Sequence, residues 1–461
     1  MITPDLIQSL HCPYCGSGLV LDEKPAPVTA SGGEGGIQWA VVACGCSRYP
    51  VVHGILVLEQ GAMLPREHLE RSVAALQAGD RAGALAWAAR SSDLARRGPL
   101  VTAVTRLVKP VAPRLAERYG QRTDAAVLLD ESLSFEDLAL ATRPTLFAHY
   151  LVQRFANPSL MGAAALIAAM GAWAAGLPRR PRVIDVGAGA GHASFLMQRL
   201  APAVDVITSD ADVISLCLAR RILGPAATLI ALDAQAPMPF ADGELDGAFS
   251  LDAFHYIPSK AALVRELARV VKSADAGGVW VFPHLHNADG HNPTPGIPLT
   301  FEGYRNILAP AGPVFFDEAE VVRAAVREGR LPAPGGDLSR ADALCMLGGA
   351  AAAWAPRDLP DPMELPGPGP LGVNPVFAPA PGSGSGTLRF VRTWANDNLR
   401  RECAAAEAYL PETVEIDAEF LRRAGAGALE EADRADATRL LRSFILIPMP
   451  AGYRRAARSG L

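Results

Sequence analysis

Short apolar runs alternate with amphipathic stretches between residues 183 and 282. Five of these runs have the length and apolar content of buried strands, and they begin at Val183, Val204, Leu229, Leu245 and Gly278. Between the last two, residues 261–271 carry apolar side chains at helical spacing. Five strands in alternation with helices predict an α/β fold with a doubly wound parallel sheet.

The first run leads directly into a glycine-rich turn and then into a helical pattern. The turn has the sequence D-x-G-x-G-x-G, formed by Asp185, Gly187, Gly189 and Gly191. Glycines allow the backbone to turn sharply and to approach a ligand that a side chain would block. We therefore expect a ligand against this turn.

Acids end the next two runs. Asp210 ends the second run about 20 residues beyond the last glycine, the spacing at which such folds place a carboxylate on a ribose hydroxyl. Asp233 ends the third run. The carboxyl ends of parallel strands lie at one edge of the sheet, where ligands of open α/β folds bind.

Residues 181–285 resemble the class I S-adenosylmethionine-dependent methyltransferases, especially those of quinone biosynthesis and small-molecule methylation. The resemblance implies a Rossmann-like sheet, S-adenosylmethionine as cofactor and methyl transfer as the activity. It also implies that the glycine loop passes under the methionine part of the cofactor, that Asp210 binds the ribose and that Asp233 reaches the adenine amine. Leu251, at the end of the fourth strand, belongs to the same cofactor-binding set. An NAD-binding oxidoreductase is the alternative, but its usual fingerprint is G-x-G-x-x-G.

Two close cysteine pairs lie in residues 1–60, and they are Cys12 with Cys15 and Cys44 with Cys46. Pairs of thiolates suit tetrahedral zinc, and four protein ligands would make the metal structural. The stretch resembles the zinc-ribbon activator subunit of tRNA and protein methyltransferases, although the second pair is C-x-C where C-x-x-C is usual. A ribbon without metal and a ligand role for His53 are the alternatives.

Methyl transfer requires positioning of the acceptor and removal of its proton. A histidine of near-neutral pKa suits an oxygen acceptor, so His255, His284 and His286 are the candidate bases, each with a plain role in the pocket wall as the alternative. Residues 284–298 read as a loop, in which Asp289 and the histidines could instead bind a metal. Residues 250–254 lack the Asn-Pro-Pro-Tyr type of sequence of enzymes that methylate amide or base nitrogen, which favours an oxygen- or carbon-centred acceptor.

The remaining chain divides by composition. We expect a zinc-ribbon module at 1–60, an alanine-rich helical cap at 61–180, the cofactor-binding domain at 181–355, a Pro/Gly/Ser-rich linker at 356–386 and an α+β extension at 387–461. A helix near residues 396–409 and a strand at 443–447 are expected in the extension, which could complete the sheet, cover the pocket or form a homodimer. Residues 160–177 are uncharged over a membrane-spanning length, but their alanine and glycine content favours a buried helix.

Net charge, the first residues and the cysteine content limit the classes of function that we expect. The 461 residues carry a net charge of −5, which leaves no electrostatic footprint for non-specific nucleic-acid binding. The start Met1-Ile-Thr-Pro-Asp does not resemble a signal peptide, so we expect a cytoplasmic protein whose seven cysteines are thiols or metal ligands. The favoured hypothesis is a small-molecule methyltransferase. The alternatives are an RNA or protein methyltransferase that docks through the ribbon, and an inactive cofactor-binding partner protein.

Overall fold

The computed structural model describes residues 1–29, 36–58, 64–89, 125–294, 296–361, 363, 369–380 and 386–455. The helices of the described residues are α1 Pro4–Ser9, α2 Arg66–Gln77, α3 Arg81–Ala88, α4 Phe135–Thr142, α5 Thr145–Val152, α6 Pro158–Ala175, α7 His192–Leu200, α8 Val213–Leu223, α9 Lys260–Val270, α10 Phe301–Ile307, α11 Glu318–Glu328, α12 Asp397–Glu402, α13 Ala418–Ala426 and α14 Arg434–Arg442. The strands are β1 Val20–Leu21, β2 Val28–Thr29, β3 Ile37–Ala43, β4 Arg48–Val52, β5 Ile55–Val57, β6 Arg182–Val186, β7 Asp205–Asp210, β8 Thr228–Ala231, β9 Gly247–Leu251, β10 Val279–His286, β11 Val314–Asp317, β12 Arg330–Leu331, β13 Ala343–Gly349, β14 Arg357–Asp358, β15 Leu371–Val373, β16 Phe377–Pro379, β17 Thr387–Arg392, β18 Thr413–Asp417 and β19 Leu446–Pro448.

A mixed sheet of twelve strands organises the described residues. Its order is β1-β3-β4-β5-β8-β7-β6-β9-β10-β13-β11, and β2 pairs with β3 beside this path. The strands from β5 through β8, β7, β6 and β9 to β10 are parallel, whereas both ends of the sheet are antiparallel. The predicted α/β sheet is confirmed, and it is wider than the five strands expected from the sequence.

The cysteine-containing module shares this sheet. β5 pairs in parallel with β8, with Ile55 opposite Leu229 and Val57 opposite Ala231. The Leu58 amide extends the ladder by donating to the Ala231 carbonyl at 2.8 Å. All three residues of β5 are buried, as are all four of β8, because helices and the module cover both faces. The module is therefore joined to the central sheet by backbone hydrogen bonds as well as by the chain.

Strand β10 runs four residues beyond the predicted end at Phe282. The pairing register shifts between Phe282 and Leu285 against β13 and between Val281 and His284 against β9, around Pro283, which has no amide hydrogen to donate. Pairing then resumes with β13, so that His284 and His286 lie on a strand and the prediction of a loop starting at His284 is wrong. Apolar pattern alone did not reveal β13, whose partner strands lie far away in the sequence.

Helix α6 is the apolar stretch of membrane-spanning length, and it is the one candidate span among the described residues. Asn157 caps its N-terminus and Pro158 occupies the first turn. Fourteen of its eighteen residues are buried within the fold. At Gly171, an added Cβ would lie 2.4 Å from the Leu200 carbonyl oxygen, so glycine allows the close packing of α6 on the end of α7. These observations agree with a core helix.

The predicted helical cap separates into two parts. Helices α2 and α3 pack together and against β4 of the cysteine-containing module, whereas α5 and α6 pack near the central strands. Residues 90–124 of the predicted cap lie outside the described residues.

The C-terminal extension forms a second apolar core beside the sheet. With β15 and β16 of the predicted linker, it forms the sheet β16-β17-β18 and the pair β15-β19, and it carries the helices α12 to α14. Met161 of α6 and Val322 of α11 complete this core, so the extension packs directly on the central unit. The predicted linker contains β14, β15 and β16 in its described parts, and residues 362, 364–368 and 381–385 of it lie outside the description.

Candidate active site and metal centre

A cavity of about 830 Å³ opens at the carboxyl ends of the parallel strands. The glycine loop and the residues that follow β7, β8 and β9 form one part of its wall. Helices α5 and α12, from outside the parallel sheet, form another part. The predicted set Asp185, Gly187, Gly189, Asp210, Asp233 and Leu251 lines this one cavity, and Gly191 lies directly behind the loop.

The glycine loop has a backbone that other residues adopt at a cost. Gly187, Gly189 and Gly191 all have positive φ, at 71°, 55° and 79°. At Gly191, an added Cβ would lie 2.8 Å from the Ala219 Cβ of α8. Glycine here therefore permits both the left-handed turn and the close approach of α7 to α8.

Asp185 lies beneath the loop with one carboxylate oxygen unused. Its Oδ2 accepts a hydrogen bond of 2.6 Å from the Ser194 hydroxyl, while its buried Oδ1 has no partner among the described residues. Burial raises the pKa of Asp185 to about 7, against the lowering effect of the Ser194 hydrogen bond. A buried acceptor that borders a cavity fits a ligand that brings a hydrogen-bond donor.

Asp210 is held by the backbone of the loops on either side. Its carboxylate accepts from the Gly189 amide at 2.8 Å and from the Asp212 amide at 2.8 Å. Burial, followed by the negative charge of Asp212, raises the pKa of Asp210 to about 6. Asp233 accepts from the Gln235 amide at 2.9 Å. Both carboxylates keep lone pairs for hydroxyl or amine donors of a ligand, so the donors and acceptors of this half of the cavity fit an adenosine-containing cofactor.

Asp252 faces the other half of the cavity, and the sequence analysis did not single it out. It follows β9 directly and has a positive φ of 55°, a strained conformation for a residue with a side chain. Its Oδ2 accepts from the Tyr150 hydroxyl at 2.7 Å and from Arg154 Nη2 at 3.0 Å. Burial opposes ionisation, but the Arg154 charge together with His255 and His284 outweighs it and holds the pKa of Asp252 well below its usual range. Its position at the carboxyl end of the fourth strand was the available signal.

The three predicted histidines lie together around Asp252. His255 and His286 stack with ring centroids 3.7 Å apart, and His255 Nε2 lies 3.4 Å from Asp252 Oδ1. His284 Nε2 lies 3.8 Å from the same oxygen, and His284 Nδ1 lies 2.6 Å from Glu318 Oε1. None of the three histidines is among the described residues that line the cavity, whereas Asp252 is. They can act on a ligand only through Asp252 or after a local rearrangement.

Two of these histidines have opposite pKa shifts. Burial lowers the pKa of His255, and the nearby Asp252 carboxylate only partly compensates. Burial also opposes the charged form of His284, but the carboxylates of Glu318 and Asp252 raise its pKa above the ordinary value. His284 is thus the stronger base of the two.

Asp252, His255 and His286 also lie close enough together for a metal site. Donor atoms of Asp252, His255 and His286 lie within 4.8 Å of one another. However, the His286 amide donates to His255 Nδ1 at 3.4 Å, which leaves the ring proton on the Nε2 that faces Asp252. We therefore interpret this cluster as a network of close ionic and ring contacts around Asp252. Asp289 and His291 join no metal-compatible group among the described residues.

Tyr453, near the end of the described chain, stabilises the position of two helices next to the cavity, α5 and α7. Its hydroxyl donates to the Leu151 carbonyl of α5 at 2.9 Å and lies 2.8 Å from Nε2 of His192, the first residue of α7. Burial lowers the pKa of His192 to about 3, so the ring is neutral and can donate to Tyr453. One hydroxyl thus joins the C-terminal extension, α5 and the helix that follows the glycine loop.

The four predicted cysteine ligands converge in the N-terminal module. The distance between Sγ atoms is 3.7 Å for Cys12 and Cys46, 3.8 Å for Cys15 and Cys44, and 3.6 Å for Cys44 and Cys46. Tetrahedral zinc with Zn–S bonds of about 2.3 Å requires sulfurs about 3.8 Å apart, whereas a disulfide requires about 2 Å. The cluster is therefore compatible with zinc, and the C-x-C pair does not prevent this arrangement.

Hydrogen bonds to sulfur surround the cysteine cluster. The Tyr14 amide donates to Cys12 Sγ at 3.4 Å, and the amides of Cys46 and Ser47 donate to Cys44 Sγ at 3.4 Å and 3.3 Å. Such donors stabilise metal-bound thiolates. His53 lies instead in the hairpin between β4 and β5, with its ring 6.2 Å from that of Trp39, and is not part of the cluster.

Comparison with known proteins agrees with this geometry. A family profile described as a methyltransferase domain matches residues 183–274, which contain the glycine loop, Asp210, Asp233 and Asp252. No curated protein matches the sequence significantly.

Several solved structures are similar to part of this chain at low identity. A complex of the Haloferax volcanii Trm112 methyltransferase activator with a methyltransferase is 17% identical, covers 38% of this chain and 86% of that chain, and has a TM-score of 0.29. A SAM-dependent methyltransferase of Thermotoga maritima is 15% identical, covers 43% and 91%, and has a TM-score of 0.30. Haemonchus contortus phosphoethanolamine N-methyltransferase 2 with S-adenosyl-L-methionine is 16% identical, covers 42% and 49%, and has a TM-score of 0.31.

Proposed function

We propose that the S-adenosylmethionine-dependent methyltransferase domain at residues 183–274 methylates a small molecule, at oxygen or carbon, inside the cavity between the sheet, α5 and α12. One observation carries this proposal. Helices α5 and α12, which lie outside the domain, form a wall of the half of the cavity that Asp252 faces, and we call this half the acceptor half. A cavity of about 830 Å³ is in the range of small-molecule sites. An enclosed acceptor also excludes water from the reacting atoms.

The cofactor half suits the following roles for this chain's residues. The glycine loop lets the backbone approach the methionine part, where the unused Asp185 Oδ1 would accept from an ammonium group. Asp210 would accept from the ribose hydroxyls, and Asp233 from the adenine amine. When bound, the cofactor supplies a methyl group already activated by its sulfonium. The protein therefore chiefly orients the acceptor.

Proton removal is the second task of the acceptor half. Asp252 stays ionised beside Arg154, so it would orient an acceptor by accepting its proton as a hydrogen bond. His284, whose pKa is raised by Glu318, is the group best placed to take that proton through Asp252. His255 and His286 would hold this network in place through their stacked rings.

We assign the cysteine cluster a structural zinc with four protein ligands, consistent with the shared sheet. Cys12, Cys15, Cys44 and Cys46 leave no open coordination position for a substrate. The ribbon would then support the edge of the sheet next to β8, whose end carries Asp233.

To test this, the protein is incubated with methyl-labelled S-adenosylmethionine and one of three cell fractions, which contain small molecules, RNA or protein. The expected result is label in the small-molecule fraction alone. Label in RNA, with an affinity that falls steeply as salt rises, would replace this proposal with the docking-module alternative. Cofactor binding without transfer to any fraction would favour the inactive partner protein.

A further inference from the structure

The acceptor half of the cavity carries an uncompensated negative charge. Among the described residues that line the cavity, Arg154 is the single arginine or lysine side chain. It is committed to partners: Nη2 donates to Asp252 at 3.0 Å, and Nη1 donates to the Ser159 hydroxyl at 2.7 Å. Its hydrogen bonds therefore go to Asp252 and Ser159 and none goes to a second carboxylate, which feels the Arg154 charge only at a distance.

Glu402 is that second carboxylate. It is the last residue of α12, is half-buried and lines the same cavity. Within the part of the chain that the structure describes, no hydrogen bond or ion pair reaches its side chain. Burial, followed by the negative charge of Asp252, raises its pKa. An unpaired carboxylate in this position raises the energy of the empty site, and a cation bound there would lower it.

Aromatic side chains border the same space. Phe147 and Tyr150 of α5 stack with ring centroids 5.8 Å apart, and both line the cavity. Tyr256 lines it as well, is 44% exposed and is oriented by the hydrogen bond from its hydroxyl to the Thr294 carbonyl. The faces of aromatic rings attract cations, and amide side chains at Asn396 and Asn398 add neutral polar groups without positive charge.

From this arrangement we propose that the methyl acceptor is a small amine that binds as an ammonium ion, with Glu402 as its ionic partner and the rings of α5 against its carbon skeleton. The inference rests on the proposed function and adds the charge class of the substrate. Carboxylates and phosphates are disfavoured as the group presented to Glu402, because the described residues that line the cavity offer them no arginine or lysine without a partner. The ammonium group anchors the acceptor, and an oxygen or carbon atom elsewhere in the molecule receives the methyl group.

The first experiment uses a small-molecule cell extract, labelled with methyl-labelled S-adenosylmethionine and separated by ion exchange at pH 5. The expected label elutes with the cations, because amines stay protonated at that pH before and after methylation. Label confined to neutral or anionic small molecules would overturn the inference and leave the proposed function intact. Label confined to RNA or protein, or no label despite cofactor binding, would defeat both.

A second experiment asks whether Glu402 is the partner. Glu402→Gln is expected to raise the KM for the purified cationic acceptor about tenfold or more while kcat changes less, since a charge-assisted pair is lost from binding. Glu402→Asp should recover part of that loss. Glu415→Gln, on the exposed face of β18, is the matched control and should leave KM unchanged. Equal KM values for Glu402→Gln and the control would contradict the assignment.

A third experiment uses probes of one shape and three charges in the methyl-transfer assay. Phenethylamine, 2-phenylethanol and phenylacetate are compared as inhibitors of methyl transfer to the labelled acceptor. Phenethylamine is expected to be the strongest inhibitor and phenylacetate the weakest, with the preference reduced in Glu402→Gln. Equal potency of the three, or the reverse order, would contradict an anionic acceptor site.

Discussion

In the proposed site, Asp210 is the residue on which cofactor recognition would depend most directly. Its two backbone hydrogen bonds orient the carboxylate at the end of β7 before any ligand binds. Asp210→Ala is expected to weaken S-adenosylmethionine binding at least tenfold, because a hydrogen bond to a charged group contributes about 1.5 to 3 kcal/mol. Titration calorimetry measures this, with Asp275→Ala on the exposed turn after α9 as the control. Unchanged affinity in Asp210→Ala would remove Asp210 from the cofactor site.

The same carboxylate predicts how cofactor affinity depends on pH. A ribose hydroxyl donates to the ionised form, and the pKa of Asp210 in the free protein is about 6. Affinity should therefore fall as the pH drops from 7.5 to 5, and Asp210→Asn should remove the part of this dependence near pH 6 while the part near pH 7, which belongs to Asp185, stays. Stability of the free protein should change in the opposite direction. Because burial raises this pKa above its unfolded value, the contribution of Asp210 to stability is full below pH 4 and is lost as the pH rises through 6.

His284 and Glu318 predict a pH effect on turnover. Glu318 raises the pKa of His284, so the rate should fall on the acid side as His284 becomes protonated. Glu318→Gln removes that charge and should shift this limb of the kcat profile to lower pH, with the affinity for S-adenosylmethionine nearly unchanged. His284→Ala should lower kcat and abolish the limb. A Glu318→Gln profile that matches the wild type would assign His284 a structural role only.

The sequence predicted which residues line the proposed cofactor half of the cavity, whereas it predicted only part of the proposed acceptor half. The glycine spacing and the acids at strand ends identify Asp185, Asp210 and Asp233 because local geometry fixes where they lie. Burial of His255 and the pairing of His284 with Glu318 depend on β10 extending past Pro283, which the pattern did not predict. Asp252 follows an apolar strand, and its strain and its partners come from distant segments.

At the scale of elements, the turn between β6 and α7 allows a matched comparison. Gly189 and Gly191 both have positive φ, but an added Cβ at Gly189 meets open space, whereas at Gly191 it lies 2.8 Å from the Ala219 Cβ. Both alanine variants should lose about 1 to 2 kcal/mol from the left-handed backbone. Gly191→Ala should lose more, because α7 must also move away from α8. Thermal and chemical denaturation measure the difference, and equal losses would show that the contact relaxes without cost.

Elements with a strong local signal were predicted well. The five parallel strands and α9 lie close to their expected positions, since each is a continuous apolar or amphipathic run. The antiparallel strands β11 and β13 were missed. β13 pairs with β10 from some sixty residues away in the sequence, and its two terminal glycines weaken any local strand signal. The expected strand at residues 443–447 begins at Leu446, after a turn.

At the scale of the whole molecule, the metal site and the cofactor site belong to one sheet. The proposed zinc holds the ribbon strands, and β5 of the ribbon pairs with β8, which leads to Asp233. Removing zinc with a chelator is expected to lower the melting temperature of the entire chain in one transition and to weaken cofactor binding. Calorimetry and elemental analysis of reduced protein test this, with zinc restored as the control. A separate melting transition for residues 1–58, with unchanged cofactor affinity, would contradict it.

The domain boundaries expected from composition remain a proposal. Composition could not reveal that β5 of the N-terminal module pairs with β8 of the central sheet. Residues 1–60 have the cysteine spacing of an independent module, and nothing in that spacing indicates a partner strand at Thr228–Ala231. Tyr453 is a similar case at the other end of the chain. Its hydroxyl reaches α5 and α7, across about 300 and 260 positions, and only the folded chain brings these segments together.

Translation delivers β5 to the cell well before β8. At about 5 to 20 residues per second, the roughly 170 residues between the two strands take about 10 to 35 s to synthesise. During this interval β4 protects one edge of β5, while the other edge presents unpaired backbone groups on an apolar strand. Such an edge pairs readily with any available strand, including the same strand of a neighbouring nascent chain on the polysome. We therefore expect that the unpaired edge of β5 must be shielded in the cell until β8 of the same chain emerges from the ribosome.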